Sequence, residues 1–142
     1  MKIVVSGCLL GIACRYDGKS KPNKDILELM KKHTLIPICP EQLGGLATPR
    51  VPAERCGNKV IRKDGVDVTK EYEKGAVEAL NIAKLYGCDM AILKEKSPSC
   101  GSIKIYDGSF SKTLIAGKGT TAELFEKNGI KVIGESMIHT IK

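Results

Sequence analysis

The chain's 142 residues suit one domain with a real core, and a composition of 27% charged and 42% hydrophobic residues excludes disorder. Tryptophan is absent and aromatics amount to 4%, so the core must be aliphatic; no apolar run nears the roughly 18 residues of a membrane span. The net charge of +7 comes from dispersed lysines, which read first as a solvated surface and second as attraction for an anionic nucleotide or RNA.

In chain order, Ile3-Val4-Val5 marks a strand over 2–6 that is buried on both faces, followed by a glycine-bearing loop over 7–22. Asn23 is the candidate cap of a helix over 24–33, with Ile26, Leu29 and Met30 on one face. A second strand covers 34–38. Residues 40–66 have little periodicity, and Pro37, Pro40, Pro49 and Pro52 crowd their start; so long an unstructured stretch reads as a functional loop. The clearest helix starts at Thr69 as cap, lines Tyr72, Ala76, Ala79, Leu80 and Ala83 on one face, and stops at Gly87.

A third strand spans 89–94. Residues 103–111 read as a β-hairpin turning at Asp107-Gly108. Thr120 and Glu123 fit a capping box for a last helix to Asn128, closed by Gly129, and 130–134 forms the fourth strand. The alternation implies an α/β fold: a single three-layer Rossmann-like domain over 1–142, with a mostly parallel four-stranded sheet and a β-hairpin insertion.

No basic, apolar and small-residue leader opens the sequence, so the expected compartment is the cytoplasm. Thiols stay reduced there, and six cysteines read as ligands, reactive groups or core residues rather than disulfides. Cys8, Cys39 and Cys100 each lie just past a strand. In an open parallel sheet, ligands bind where the carboxyl ends of neighbouring strands converge. Three thiols delivered there suggest a soft-metal or iron–sulfur site with an open coordination position. Gly7 and Gly11 beside Cys8, Pro40 after Cys39 and Gly101 after Cys100 allow close backbone approach to a bulky inorganic core.

Cys88 begins the third strand, about 20 Å from Cys100 at the other end, and reads as a core residue. Cys14 and Cys56, in loops, stay open as a fourth ligand, a reactive thiol or an idle one. No C-x-x-C is present.

Glu41, two residues past Cys39, is a candidate general base. Ser97 and Ser99 bracket Pro98 before Cys100, where a hydroxyl can assist chemistry or merely form the turn. Arg15 with Asp17, and Arg50 with Glu54, read as structural ion pairs or as anion contacts. Gly117-Lys118-Gly119-Thr120-Thr121 before a helix suggests phosphate binding or an ordinary cap. His33 and His139 fall at a helix end and near the C-terminus, and neither is well placed for catalysis.

Together, Val5-Ser6-Gly7-Cys8-Leu9-Leu10-Gly11, Cys14-Arg15-Tyr16-Asp17-Gly18, Cys39-Pro40-Glu41, Gly44-Gly45-Leu46, Pro49-Arg50-Val51-Pro52-Ala53-Glu54, Leu93-Lys94, Ser97-Pro98-Ser99-Cys100-Gly101 and Gly117-Lys118-Gly119-Thr120-Thr121-Ala122 resemble the 2-thiouracil desulfidase family along essentially the whole chain. Gly7 departs from the alanine expected in many members. The resemblance implies a [4Fe–4S] cluster with one open iron, held by Cys8, Cys39 and Cys100, with Glu41 and one of Ser97 and Ser99 assisting. It implies removal of sulfur from a thiolated uracil without net redox change. The expected partner is a small thiolated base, with RNA as the second candidate and no membrane, and the expected assembly is a monomer or small homo-oligomer. The rival readings are an iron–sulfur sulfur-transfer or tRNA thiolation or dethiolation factor, and a non-catalytic zinc-binding module.

Overall fold

A computed structural model describes residues 1–141. Four strands build the central sheet: β1 (Lys2–Ser6), β2 (Thr34–Ile38), β5 (Met90–Leu93) and β8 (Lys131–Gly134). Their order is β2-β1-β5-β8, and every pairing is parallel. Two antiparallel hairpins lie outside it, β3 (Ala53–Cys56) with β4 (Lys59–Arg62) and β6 (Lys104–Tyr106) with β7 (Leu114–Ala116). The helices are α1 (Lys24–Glu28), α2 (Pro40–Leu43), α3 (Thr69–Leu85) and α4 (Thr120–Lys127). The expected α/β sheet with an inserted hairpin is present, and the sheet is wholly parallel.

The alternation of strand side chains separates two cores. Val4, Ala91 and Leu93 face α3 and α4, where Ala79, Leu80, Ala83, Ala122 and Phe125 close over them. Ile3, Val5, Ile92 and Ile133 face the other way, onto Leu9 and Ile26. Cys88 lies in the first core, 6% exposed. Among the described residues no helix is long and apolar enough to cross a membrane.

Several elements differ from expectation for local reasons. The helix expected over 24–33 is α-helical only to Glu28 and then tightens into a 3-10 turn over Leu29–Lys31; the Asn23 side chain does cap it. The stretch 40–66 is not structureless, since it holds α2 and the β3–β4 hairpin. Thr69 is the first residue of α3 rather than its cap; its hydroxyl accepts the Val60 N–H at 2.9 Å and ties the helix to β4. The second hairpin is longer than 103–111: Lys104 pairs with Ala116 across a loop over 107–113. In α4, Gly119 holds the cap position without a side-chain bond, and Glu123 instead binds Arg55.

Phe125 is fully buried beneath the sheet, the largest such side chain. Phe125→Ala removes its apolar area and leaves a cavity, so stability should fall by about 3–5 kcal/mol. A lowered urea midpoint with an unchanged slope checks this.

Candidate functional site

The sheet order places β1 between β2 and β5, so the chain turns back across itself at the β1/β5 junction. Ligands collect at the carboxyl side of such a switch point. Here Cys8, Cys39 and Cys100 line one cavity of about 660 Å³ together with Cys14. That volume lies inside the roughly 300–1,000 Å³ of small-molecule sites. All six cysteines are free; Cys8 and Cys100 are buried and Cys39 partly so.

Each thiol is placed by a different device. Cys8 sits in a 3-10 turn over Gly7–Leu10, and its carbonyl accepts the Lys21 N–H at 2.9 Å, folding the 7–22 loop back over it. Gly7 leaves room for Cys14: a methyl group there would stand 3.3 Å from the Cys14 Sγ and from Ile12. Cys39 is the N-cap of α2, with Pro40 at the first helical position. Gly44 presses against the Glu71 carbonyl and Gly75 against the Pro40 carbonyl, so only side-chain-free residues let α2 seat on α3.

Cys100 is riveted from behind. The N–H groups of Thr120 and Thr121 donate to the carbonyls of Pro98 and Ser99 at 3.0 and 2.8 Å, and Gly119 N–H donates to Gly101 at 2.7 Å. The start of α4 is therefore spent on holding the cysteine loop, and the phosphate reading of Gly117–Thr121 gives way to this anchoring role.

Glu41, in the first turn of α2, lines the same cavity. Its partner is Arg50, whose Nε and Nη2 reach Glu41 Oε2 at 2.7 and 2.5 Å, leaving Oε1 without an arginine contact. Arg50 also donates to the Cys14 carbonyl at 2.9 Å and to Thr48 Oγ1 at 2.9 Å. Of the two readings for Arg50 and Glu54, an ion pair or an anion contact, the ion pair is not formed: Arg50 binds Glu41, and Glu54 accepts backbone N–H groups of Gly108 and Phe110. Arg15 and Asp17 do face one another, at 3.6 Å.

The two serines have different surroundings. Ser97 lines the cavity, and its Oγ accepts the N–H groups of Ser99 and Cys100 at 3.1 and 3.0 Å. Ser99 is buried and shares a 2.8 Å hydrogen bond with Thr121 Oγ1.

Comparison with known proteins gives the family. The family model described as 2-thiouracil desulfurase matches residues 3–137. The chain belongs to that family. An uncharacterized protein of Bacillus subtilis (strain 168), YbbK, is 42% identical over 98% of this chain and 99% of its own length. A solved structure named the [4Fe-4S]-dependent thiouracil desulfidase TudS superposes with a TM-score of 0.93, at 45% identity over 97% of this chain and 93% of that one.

In this desulfurase-family site, the surroundings of Cys39 and Cys100 favour protonated thiols. Burial, with the negative neighbours Glu41 and Cys39, pushes the Cys100 thiol up to about 12 against the help of the Ser6 and Ser99 hydroxyls. Hydrogen bonding to Cys14 and then burial raise Cys39. Any metal held here must therefore displace protons. Burial is the largest single influence on the Arg50 guanidinium and would lower it, yet the charge and hydrogen bond of Glu41, with the charges of Cys39 and Tyr72, together hold Arg50 above its ordinary value.

Tyr72, Ser6, Lys94 and Glu135 also line the cavity, and local sequence pattern does not mark them as site residues. Tyr72 sits on the buried stripe of α3, where a helical period marks it as core; burial and the Glu41 carboxylate raise its phenol. Lys94 and Glu135 form a 2.8 Å ion pair between segments far apart in the chain, which no local signal reveals.

The Arg50 and Glu41 side chains are only 9% and 13% exposed. Arg50→Met strands a buried carboxylate and should cost about 3–5 kcal/mol, whereas Arg50→Met with Glu41→Met should recover most of that loss. Urea unfolding of the two single variants and the double variant checks this, and strictly additive losses would contradict a coupled pair.

Proposed function

We propose that the chain removes sulfur from a thiolated nucleobase such as 2-thiouracil, water replacing sulfur to give the carbonyl base and hydrogen sulfide. The observation that carries this reading is the delivery of Cys8, Cys39 and Cys100 from three adjacent strand ends into one cavity beside an ion-paired Glu41. The family membership and the name of the superposed desulfidase support the same chemistry.

The donor set suits an iron–sulfur cluster. It is all thiolate, and soft sulfur ligands favour such clusters. Among the described residues no three His, Cys, Asp or Glu side chains are grouped to hold a single metal ion; the cluster reading rests on the thiols that line the cavity. Cys8, Cys39 and Cys100 would hold it, since each follows directly from a strand end, with Cys14 behind Gly7 as a neighbour. Held by these three thiolates, such a cluster would supply a thiophilic Lewis acid toward the sulfur of the C=S group.

The remaining work falls to the chain. Glu41 Oε1 takes a proton from the attacking water, while Arg50, bound to Oε2, keeps the carboxylate aimed. Ser97 Oγ already accepts two N–H bonds, so its own hydrogen is left to donate into the cavity toward charge developing at the reacting carbon. Ser99, tied to Thr121, supports the Cys100 turn. The six free thiols suit a reducing compartment, and we assign the enzyme to the cytoplasm.

Protein purified without oxygen should contain iron and sulfide in equal amounts and convert 2-thiouracil to uracil with one hydrogen sulfide released per turnover. Glu41→Gln should keep the iron and lower turnover by about 10²–10⁴-fold. A colourless protein that holds zinc, or one that acts on thiolated tRNA with steep salt sensitivity and ignores the free base, would replace this reading.

A further inference from the structure

Three non-glycine residues among those described adopt left-handed backbone conformations: Lys96 (φ 66°), Phe110 (φ 56°) and Lys112 (φ 61°). All three line the cavity that holds the cysteines. Left-handed backbone is unfavourable for a bulky side chain and persists only where surrounding structure over-determines it, commonly at ligand sites. Two of the three stand in the β6–β7 loop over 107–113.

That loop is held from the opposite hairpin. Glu54 Oε1, on β3, accepts the N–H groups of Gly108 at 2.9 Å and Phe110 at 3.1 Å. On its outer side, Ser109 Oγ binds Asp107 Oδ1 at 2.6 Å, and Ser111 Oγ binds Thr113 Oγ1 at 2.7 Å. An isolated parallel bridge between Lys96 and Ile105 joins the segment leading to Cys100 to β6. The loop therefore has a fixed shape, and that shape places Phe110 on the cavity wall.

The chain has two phenylalanines and no tryptophan, and Phe125 is wholly committed to the core. Tyr16 carries the Arg15 guanidinium 5.9 Å from its ring centre, and Tyr72 is buried beside Glu41. Phe110 is the ring without a polar tip at this site. A planar pyrimidine seated in the cavity that Glu41 and Ser97 line needs a flat apolar partner for its face, and base–aromatic stacking supplies one.

We infer that Phe110 is the recognition residue that stacks on the pyrimidine ring, and that Glu54 is a positioning residue that holds Phe110 in its left-handed conformation. The inference rests on the desulfidase reading for the identity of the ring and adds the group that selects it. The experiment compares wild-type holoenzyme, Phe110→Ala, Phe110→Tyr and Phe110→Gly for KM and kcat on 2-thiouracil and for calorimetric affinity toward uracil. Phe110→Ala should raise KM and weaken uracil binding about tenfold or more, with kcat and iron content little changed. Phe110→Tyr should retain wild-type behaviour.

Phe110→Gly separates ring from backbone. It relieves the left-handed conformation, so its thermal stability should hold or rise while its KM rises as in Phe110→Ala. Glu54→Ala should raise KM without further loss when combined with Phe110→Ala, and Glu54→Gln, whose amide oxygen still accepts, should rescue it. Wild-type KM and uracil affinity in Phe110→Ala would overturn the inference, as would wild-type protein that does not bind uracil. If wild type binds uracil but leaves 2-thiouracil intact, the desulfidase reading falls while the uracil affinities of the Phe110 variants still decide recognition.

Discussion

The structure depends on the parallel pairing of β1 with β2 on one side and β5 on the other. In that register Ser6 lies opposite Ile38, and Val5 lies opposite both Pro37 and Ile92, so the three carboxyl ends finish nearly level. Strand spacing of about 4.8 Å puts all three ends within roughly 10 Å. Residues 8, 39 and 100 thus share a cavity although they lie far apart in sequence. The hydrophobic content of the strands, with Ile3, Val4, Val5, Ala91, Ile92 and Leu93 wholly buried, is what holds that register.

Strand ends alone would leave the thiols on mobile loops. Three further constraints remove that freedom. The glycine contact between α2 and α3 sets where Cys39 and Glu41 stand; the backbone donors of α4 hold the Cys100 turn; and Arg50 links Glu41 to the carbonyl of Cys14. The same arginine therefore orients a carboxylate and closes the loop behind Cys8. Chemistry and architecture are coupled at that residue, and its burial makes the coupling strong.

What was legible in the sequence follows from range. Buried parallel strands write themselves as apolar runs, and α3 shows its 3.6-residue stripe, so the sheet and the cysteines beyond it could be located from local pattern. The β3–β4 hairpin has a weak local pattern because Val60 alone among Ala53-Glu54-Arg55-Cys56 and Lys59-Val60-Ile61-Arg62 is fully buried, although Gly57-Asn58 between them is a turn signal. The β6–β7 hairpin was cut short because Asp107-Gly108 reads as a complete turn, whereas Gly108 opens a longer loop held by Glu54. Thr120 and Glu123 have the spacing of a capping box, but tertiary partners claimed both the helix start and the Glu123 carboxylate. The Arg50–Glu41 and Lys94–Glu135 pairs are long-range choices among many charges, and sequence spacing carries no trace of them.

The central claim is that three particular thiols form the ligand set, and the most direct measurement is iron per chain in single cysteine-to-serine variants purified without oxygen. Cys8→Ser, Cys39→Ser and Cys100→Ser should each lose most of the iron and its visible absorption, while Cys14→Ser, Cys56→Ser and Cys88→Ser keep both. Full iron in any of the first three, or its loss only with Cys14→Ser, would contradict the account.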